Sequence, residues 1–336
     1  AVARFEEDFA AYLEAGGCVG VANGTDALVV ALRALDLGPG DEVIVPAFTF
    51  VATASAVALA GGVPVFADVL PDSLNLDLAD AAARVTPRTV GVIGVHLFGR
   101  PFDTGGLAAL CRRHGLWWIE DAAQAQGARV DGRRVGALGT LASWSFYPTK
   151  NLGAFGDAGA VTGADSALLD RVRRIANHGR TEHYLHGELG TNSRLDALQA
   201  TVLSLRLAGL EEGNRRRREI AACYREALAG PAAAGAVDLL RDPEGTEPAH
   251  HQFTLLTDRR DALREHLAEG GVGSAVYYPV PLHRQPALER FAPRGLELPV
   301  SERAARRALS LPMFPELEDR EAEAVCERLG SFRFGG

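Results

Sequence analysis

The chain has 336 residues, is 47% hydrophobic and 23% charged, and carries a formal net charge of −8. That is the make-up of an ordinary soluble globular protein with room for one large and one smaller domain, and its negative balance excludes a general nucleic-acid binder. No run approaches the roughly 20 uninterrupted apolar residues of a membrane span, and residues 1–7 carry no signal-peptide pattern.

Residues 3–14 show the spacing of an amphipathic helix. Short apolar runs then alternate with helical patterns. Val19–Ala22 precedes a helix over about Thr25–Leu35, and Glu42–Pro46 precedes one over about Phe50–Leu59. Val63–Asp68 is followed by Ala79–Ala83, and Thr89–Val95 by Gly106–His114. Trp117–Asp121, Ala142–Tyr147 and Ala158–Thr162 complete seven expected strands. Such alternation predicts an α/β fold with a mostly parallel central sheet covered on both faces. Ligands of such sheets sit beyond the carboxyl ends of the strands.

From Ser166 the pattern turns helical, over Leu168–Ile175, Leu195–Leu210 and Glu212–Leu228. Gly230–Gly235 reads as a surface loop. Gln252–Leu256, Asp261–Ala268, Ser274–Tyr278 and Glu318–Leu329 suggest a smaller C-terminal α+β domain. The expected division is a large domain over 1–210 and a smaller one over 211–336. The run Arg215-Arg216-Arg217-Arg218 reads as a solvated helix face, since glutamates flank it.

Cys18, Cys111, Cys223 and Cys326 lie far apart and form no CxxC pair. This spacing points to no zinc site and no disulfide framework, and suits the cytoplasm. Lys150 is the only lysine among 35 basic residues. Arginine holds charge and binds anions as well as lysine does. It cannot give up a proton near neutral pH and attack a carbonyl.

Three features accompany Lys150. Asn23-Gly24-Thr25-Asp26 opens a helix, where free N–H groups and the helix dipole favour a phosphate; an ordinary capped turn has the same pattern. Asp121 ends a buried-looking strand and needs a partner, for which a pyridinium N–H is suitable. A helix cap or structural ion pair would also satisfy it. Ser145 precedes Lys150 by five residues and can add a hydroxyl to the phosphate site. Together these describe a pyridoxal-phosphate (PLP) site of fold type I, the aspartate-aminotransferase type.

The chain resembles the sugar aminotransferases of the DegT/DnrJ/StrS family almost end to end. The resemblance rests on Asn23–Leu28, Gly40–Pro46, Thr49–Thr53, Val95–Gly99, Glu120–Gln124, Ser145–Gly153, Asn192–Ala200 and Leu311–Pro315. It implies a PLP-dependent transaminase with Lys150 as Schiff-base lysine and proton shuttle. It implies Asp121 on the pyridine nitrogen, Gln124 on the ring hydroxyl and Phe50 stacked on the ring. Gly24, Thr25 and Ser145 match the phosphate cradle. Asn192 matches a residue that reaches the phosphate from the other subunit, implying a homodimer with shared active sites.

The implied substrates are L-glutamate and a nucleotide-linked keto sugar, and the segment Arg180–His186 looks like that of the branch acting on 3-keto sugars. Tyr184 and His186 are candidate sugar or diphosphate contacts. His96 and His283 are further candidates, equally readable as hydrogen-bonded structural histidines. The other histidines read as surface residues. A 4-keto sugar nucleotide, a keto-inositol, or a non-catalytic PLP-binding regulator are the alternatives. A dehydratase branch carries histidine in place of the lysine, which Lys150 argues against. Many relatives have His at the position of Gln126 and Gly at that of Ala158, a departure that bears on local packing and substrate fit.

Overall fold

A computed structural model describes residues 1–334. Helix α1 (Val2–Leu13) buries Phe5, Phe9 and Leu13, one stripe of its surface. The alternation continues through β1 (Gly17–Val21), α2 (Gly24–Ala34), β2 (Glu42–Pro46), α3 (Ala52–Leu59), β3 (Val63–Ala67), α4 (Leu78–Ala83) and β4 (Thr89–Val95). It proceeds to α5 (Thr104–His114), β5 (Trp117–Asp121), the short strands β6 (Arg129–Val130) and β7 (Arg133–Arg134), β8 (Leu141–Ser145), β9 (Gly159–Gly163) and α6 (Ser166–Ala176).

All seven expected strands join one sheet, in the order β1-β9-β8-β5-β4-β2-β3. Only β9 runs against the rest, pairing antiparallel with both β1 and β8. Alternate residues serve opposite faces. Val43, Ile93 and Ile119 enter one apolar cluster, and their neighbours Ile44, Val92 and Trp118 enter another. Register places Val95 opposite Asp121 and Asp121 opposite Ser143, so the carboxyl ends of three strands finish together.

The chain then forms the hairpin β10 (Arg180–Glu182) and β11 (Leu185–His186), followed by α7 (Ala197–Leu207) and α8 (Leu210–Ala227). The expected loop at Gly230–Gly235 differs: its alanines extend a short helix α9 (Ala229–Ala233). Next come β12 (Asp238–Leu239), β13 (Thr246–Glu247), β14 (Phe253–Leu256), α10 (Arg260–Glu269), α11 (Pro299–Arg307), β15 (Ala308–Leu311) and α12 (Asp319–Ser331). Strands β12-β14-β15 form an antiparallel sheet whose cluster takes Ile220, Tyr224, Leu255, Leu263, Leu309 and Val325. Ser274–Tyr278 contributes only the bridge Ala275↔Ser310. Strand β13 pairs with β6, joining this region to the first.

One detail departs from the sequence reading and another adds to it. Arg217 is buried on α8, where it donates to the carbonyls of Met313, His250 and His251. Arg215, by contrast, pairs in solvent with Glu212. Cys223 on α8 and Cys326 on α12 are free thiols with their Sγ atoms 2.8 Å apart.

Candidate active site

At the carboxyl ends of the strands lies a cavity of about 450 Å³. Gly24, Thr25, Phe50, Asp121, Gln124, Ser145 and Lys150 all line it. Helix α2 aims its N-terminus into this space. Asn23 caps it, Oδ1 accepting from Asp26 N at 2.8 Å. Gly24 must lack a side chain, because a Cβ there would lie 2.7 Å from Ser145 Cβ. The backbone amides of the first turn are thus open to an anion beside the Ser145 hydroxyl.

Lys150 follows β8 by five residues. A turn closes there, Lys150 N donating to Tyr147 O at 2.8 Å. Burial lowers its pKa to about 8, with the Asp121 charge opposing the fall. Asp121 responds in the opposite sense. Burial raises its pKa, although Thr53, the Ala123 amide and Lys150 each favour the charged form. Thr53 Oγ1 donates to Asp121 Oδ2 at 2.8 Å, while Oδ1 receives only the Ala123 amide, at 3.3 Å. Gln124 Oε1 accepts from Phe98 N at 2.6 Å, and its Nε2 donates to Tyr278 Oη at 3.0 Å. Phe50 stands half-exposed at the rim, its ring 6.2 Å from that of Tyr278.

These residues suit a PLP-type cofactor. A helix N-terminus, a strand-end carboxylate and an amine of lowered pKa converge on one cavity. No cluster of His, Cys, Asp or Glu among the described residues would hold a metal.

Other candidates do not reach this cavity. His96 is fully buried beneath it, with Nε2 3.1 Å from Glu120 Oε2 and its ring stacked on Phe102 at 4.4 Å. The reason is strand alternation: Glu120 and Asp121 face opposite ways, and His96 follows Glu120. Burial disfavours the Glu120 charge, but His96 and the amides of Gly136 and Gly139 outweigh it and lower its pKa. His283 pairs instead with Glu302, Nε2 to Oε1 at 3.0 Å. Tyr184 and His186 project from the β10–β11 hairpin, exposed, and His186 Nδ1 pairs with His178 O at 2.9 Å. Asn192 is also exposed and accepts from Arg194 Nε at 3.1 Å. None of the three lines the cavity of its own chain.

The reading of the remaining histidines as surface residues is corrected at His250 and His251, both buried. His251 lines the cavity with Gln252, Tyr277, Tyr278 and Thr149. An adjoining cavity of about 330 Å³ shares His251, Gln252, Tyr277 and Thr149. Thr53 had a local signal, since it ends the Thr49–Thr53 segment on which the family resemblance rests. His251 and Tyr278 had none. Gln126 also finds its place: its Nε2 donates to Ser145 O at 2.7 Å and Ala123 O at 3.3 Å, binding two site segments together.

Comparison with known proteins agrees. Residues 1–330 match the DegT/DnrJ/EryC1/StrS aminotransferase family. A pleiotropic regulatory protein of Geobacillus stearothermophilus is 45% identical, over 98% of this chain and 89% of its own length. The dTDP-3-amino-3,4,6-trideoxy-alpha-D-glucose transaminase of Streptomyces venezuelae is 47% identical, over 96% of this chain and 84% of its own. The solved structure of S. venezuelae DesV in complex with a ketimine intermediate is 46% identical and matches with a TM-score of 0.95, covering 98% of this chain and 88% of that one.

Proposed function

The chain belongs to the DegT/DnrJ/EryC1/StrS aminotransferase family, and from that premise we propose that it moves the amino group of L-glutamate onto a nucleotide-linked keto sugar, a 3-keto-deoxyhexose carried on dTDP or UDP. The family's cofactor class is pyridoxal or pyridoxamine phosphate. The observation that carries the reading is the meeting of Lys150, Asp121 and the α2 N-terminus in one cavity. The 3-amino product named for the S. venezuelae relative supports the keto position.

When bound, the cofactor supplies an aldehyde for an amine to capture and a ring nitrogen that draws electrons from the bond being broken. Lys150 Nζ holds the cofactor. Once freed, Nζ would take the proton from the donor's Cα and deliver it to the cofactor carbon that keeps the nitrogen, its lowered pKa making it a usable base near pH 8. Asp121 keeps positive charge on the ring nitrogen. The first turn of α2 at Gly24 and Thr25, with Ser145, cradles the phosphate, and Gln124 and Phe50 orient the ring. Both substrates use one cavity in turn, so kinetics are ping-pong.

The working unit in this reading is a homodimer, in which Asn192 of a second copy completes the phosphate cradle. Exposed apolar side chains support it. Leu198 and Leu205, one heptad apart on α7, are each 76% exposed, and Tyr184 and Leu189 are more so.

The test is the PLP-loaded enzyme with L-glutamate and a panel of nucleotide-linked 3-keto sugars, 4-keto sugars and keto-inositols, read by mass spectrometry. Amination of the 3-keto members with release of 2-oxoglutarate is expected. Turnover by Lys150→Arg would sink the proposal. The regulatory name of the Geobacillus relative raises one other reading, cofactor binding without turnover, which the same panel detects as a wholly negative result.

A further inference from the structure

Resting on the amino-sugar reading above, we propose that His251 is a specificity-determining residue whose Nε2 accepts a hydrogen bond from a hydroxyl of the sugar that receives the amine.

The backbone fixes the tautomer of His251. Ala249 O can only accept, so the Asn151 atom 2.8 Å from it is Nδ2. The other Nδ2 proton goes to Asn214 Oδ1 at 2.9 Å. Asn151 Oδ1 then offers only lone pairs, and His251 Nδ1, 3.2 Å away, must carry the ring proton. A neutral imidazole protonated at Nδ1 has a bare Nε2. The ring stays neutral because burial, then the charges of Lys150 and Arg217, hold its pKa well below the usual range. Nε2 has no hydrogen-bond partner among the described residues, and the ring lines both the Lys150 cavity and the adjoining one. Gln252 lines the same two cavities, and its Oε1 is buried without a partner.

An acceptor edge with no donor facing it discriminates between ligands by chemistry. Phosphate and carboxylate oxygens present lone pairs to lone pairs. A sugar hydroxyl brings the missing donor. L-Glutamate carries no hydroxyl, and its one N–H-bearing group is committed to the reacting carbon, so this edge separates the amine acceptor from the amine donor in a site that must handle both. Sites built around such a bond reject an analogue that lacks the hydroxyl, because the buried partner is left unpaired.

The test compares the loaded wild-type enzyme with His251→Asn. Asparagine sets an amide N–H near the place of Nδ1–H, so it can still reach Asn151, and puts nothing at the place of Nε2. The ratio of kcat/KM for the keto sugar nucleotide to kcat/KM for glutamate should fall roughly tenfold, the scale of one lost hydrogen bond. Calorimetry should show the amino-sugar nucleotide product binding the variant roughly tenfold more weakly. Among deoxy analogues of the sugar, one should lose the same factor with wild type and be indistinguishable from its parent with His251→Asn. Proportionate losses in both halves would mean that His251 acts only through Asn151 and Lys150, and would overturn the proposal, as would no change at all. A wild-type enzyme that aminates no nucleotide-linked keto sugar fails earlier, refuting the functional reading and this inference with it.

Discussion

The Thr53 hydroxyl donates to Asp121 Oδ2 at 2.8 Å, which occupies one edge of a buried carboxylate and leaves Oδ1 the less engaged. Thr53→Val removes the donor while keeping the shape. The carboxylate then loses one stabilising bond, about 1 kcal/mol. Equilibrium dialysis should show PLP held about five-fold less tightly, with the folded protein otherwise intact.

The lowered pKa of Lys150 makes a pH prediction. Its reactive form is the neutral amine, populated as pH rises through about 8 rather than the ordinary 10.5. Stopped-flow capture of PLP by the apoenzyme should accelerate up to about pH 8 and then level off. The Asp121 charge raises this pKa. In Asp121→Asn the midpoint should therefore move below 8, and a midpoint that rose would contradict the electrostatic account.

Gly24→Ala tests the phosphate cradle. The added Cβ would sit 2.7 Å from Ser145 Cβ, inside any tolerable contact. Relief requires α2 or β8 to shift, at a cost of about 1–3 kcal/mol. PLP affinity should fall ten-fold or more, and inorganic phosphate should protect the apoenzyme from heat less than it protects wild type.

Leu198→Glu tests the α7 surface. The side chain is 76% exposed, so a charge there should leave an isolated chain folded. If α7 seats a second copy, sedimentation should show monomers, and activity should drop with the loss of Asn192 from the neighbouring site. A stable, active dimer would place the contact elsewhere.

Much of the fold was legible because short apolar runs alternate with helical patterns, many of them punctuated by Gly, Pro or Asp. Lys150, Asp121 and Gly24 were legible because chemistry at strand ends leaves a local pattern. The order of the strands was not, since β1 joins the sheet through β9, far along the chain. His251 and Tyr278 reach the cavity only through tertiary packing, from segments more than 100 residues past Lys150's strand. His96 and His283 misled for a related reason: a histidine near a strand end looks the same in sequence whether it faces a ligand or a buried glutamate. Glu120 and Glu302 decided the matter.

The reversed direction of β9 has a consequence for how the protein acquires its reactive amine. Parallel neighbours need a long crossover to connect. Because β9 turns back beside β8, with Ser145 opposite Gly159, the segment bearing Lys150 closes on itself within a short stretch of chain. Contacts this close in sequence cost little loop entropy and form early. The lysine arch can therefore take shape as a local hairpin during folding. The carboxylate it must face arrives only when β5 docks against β8.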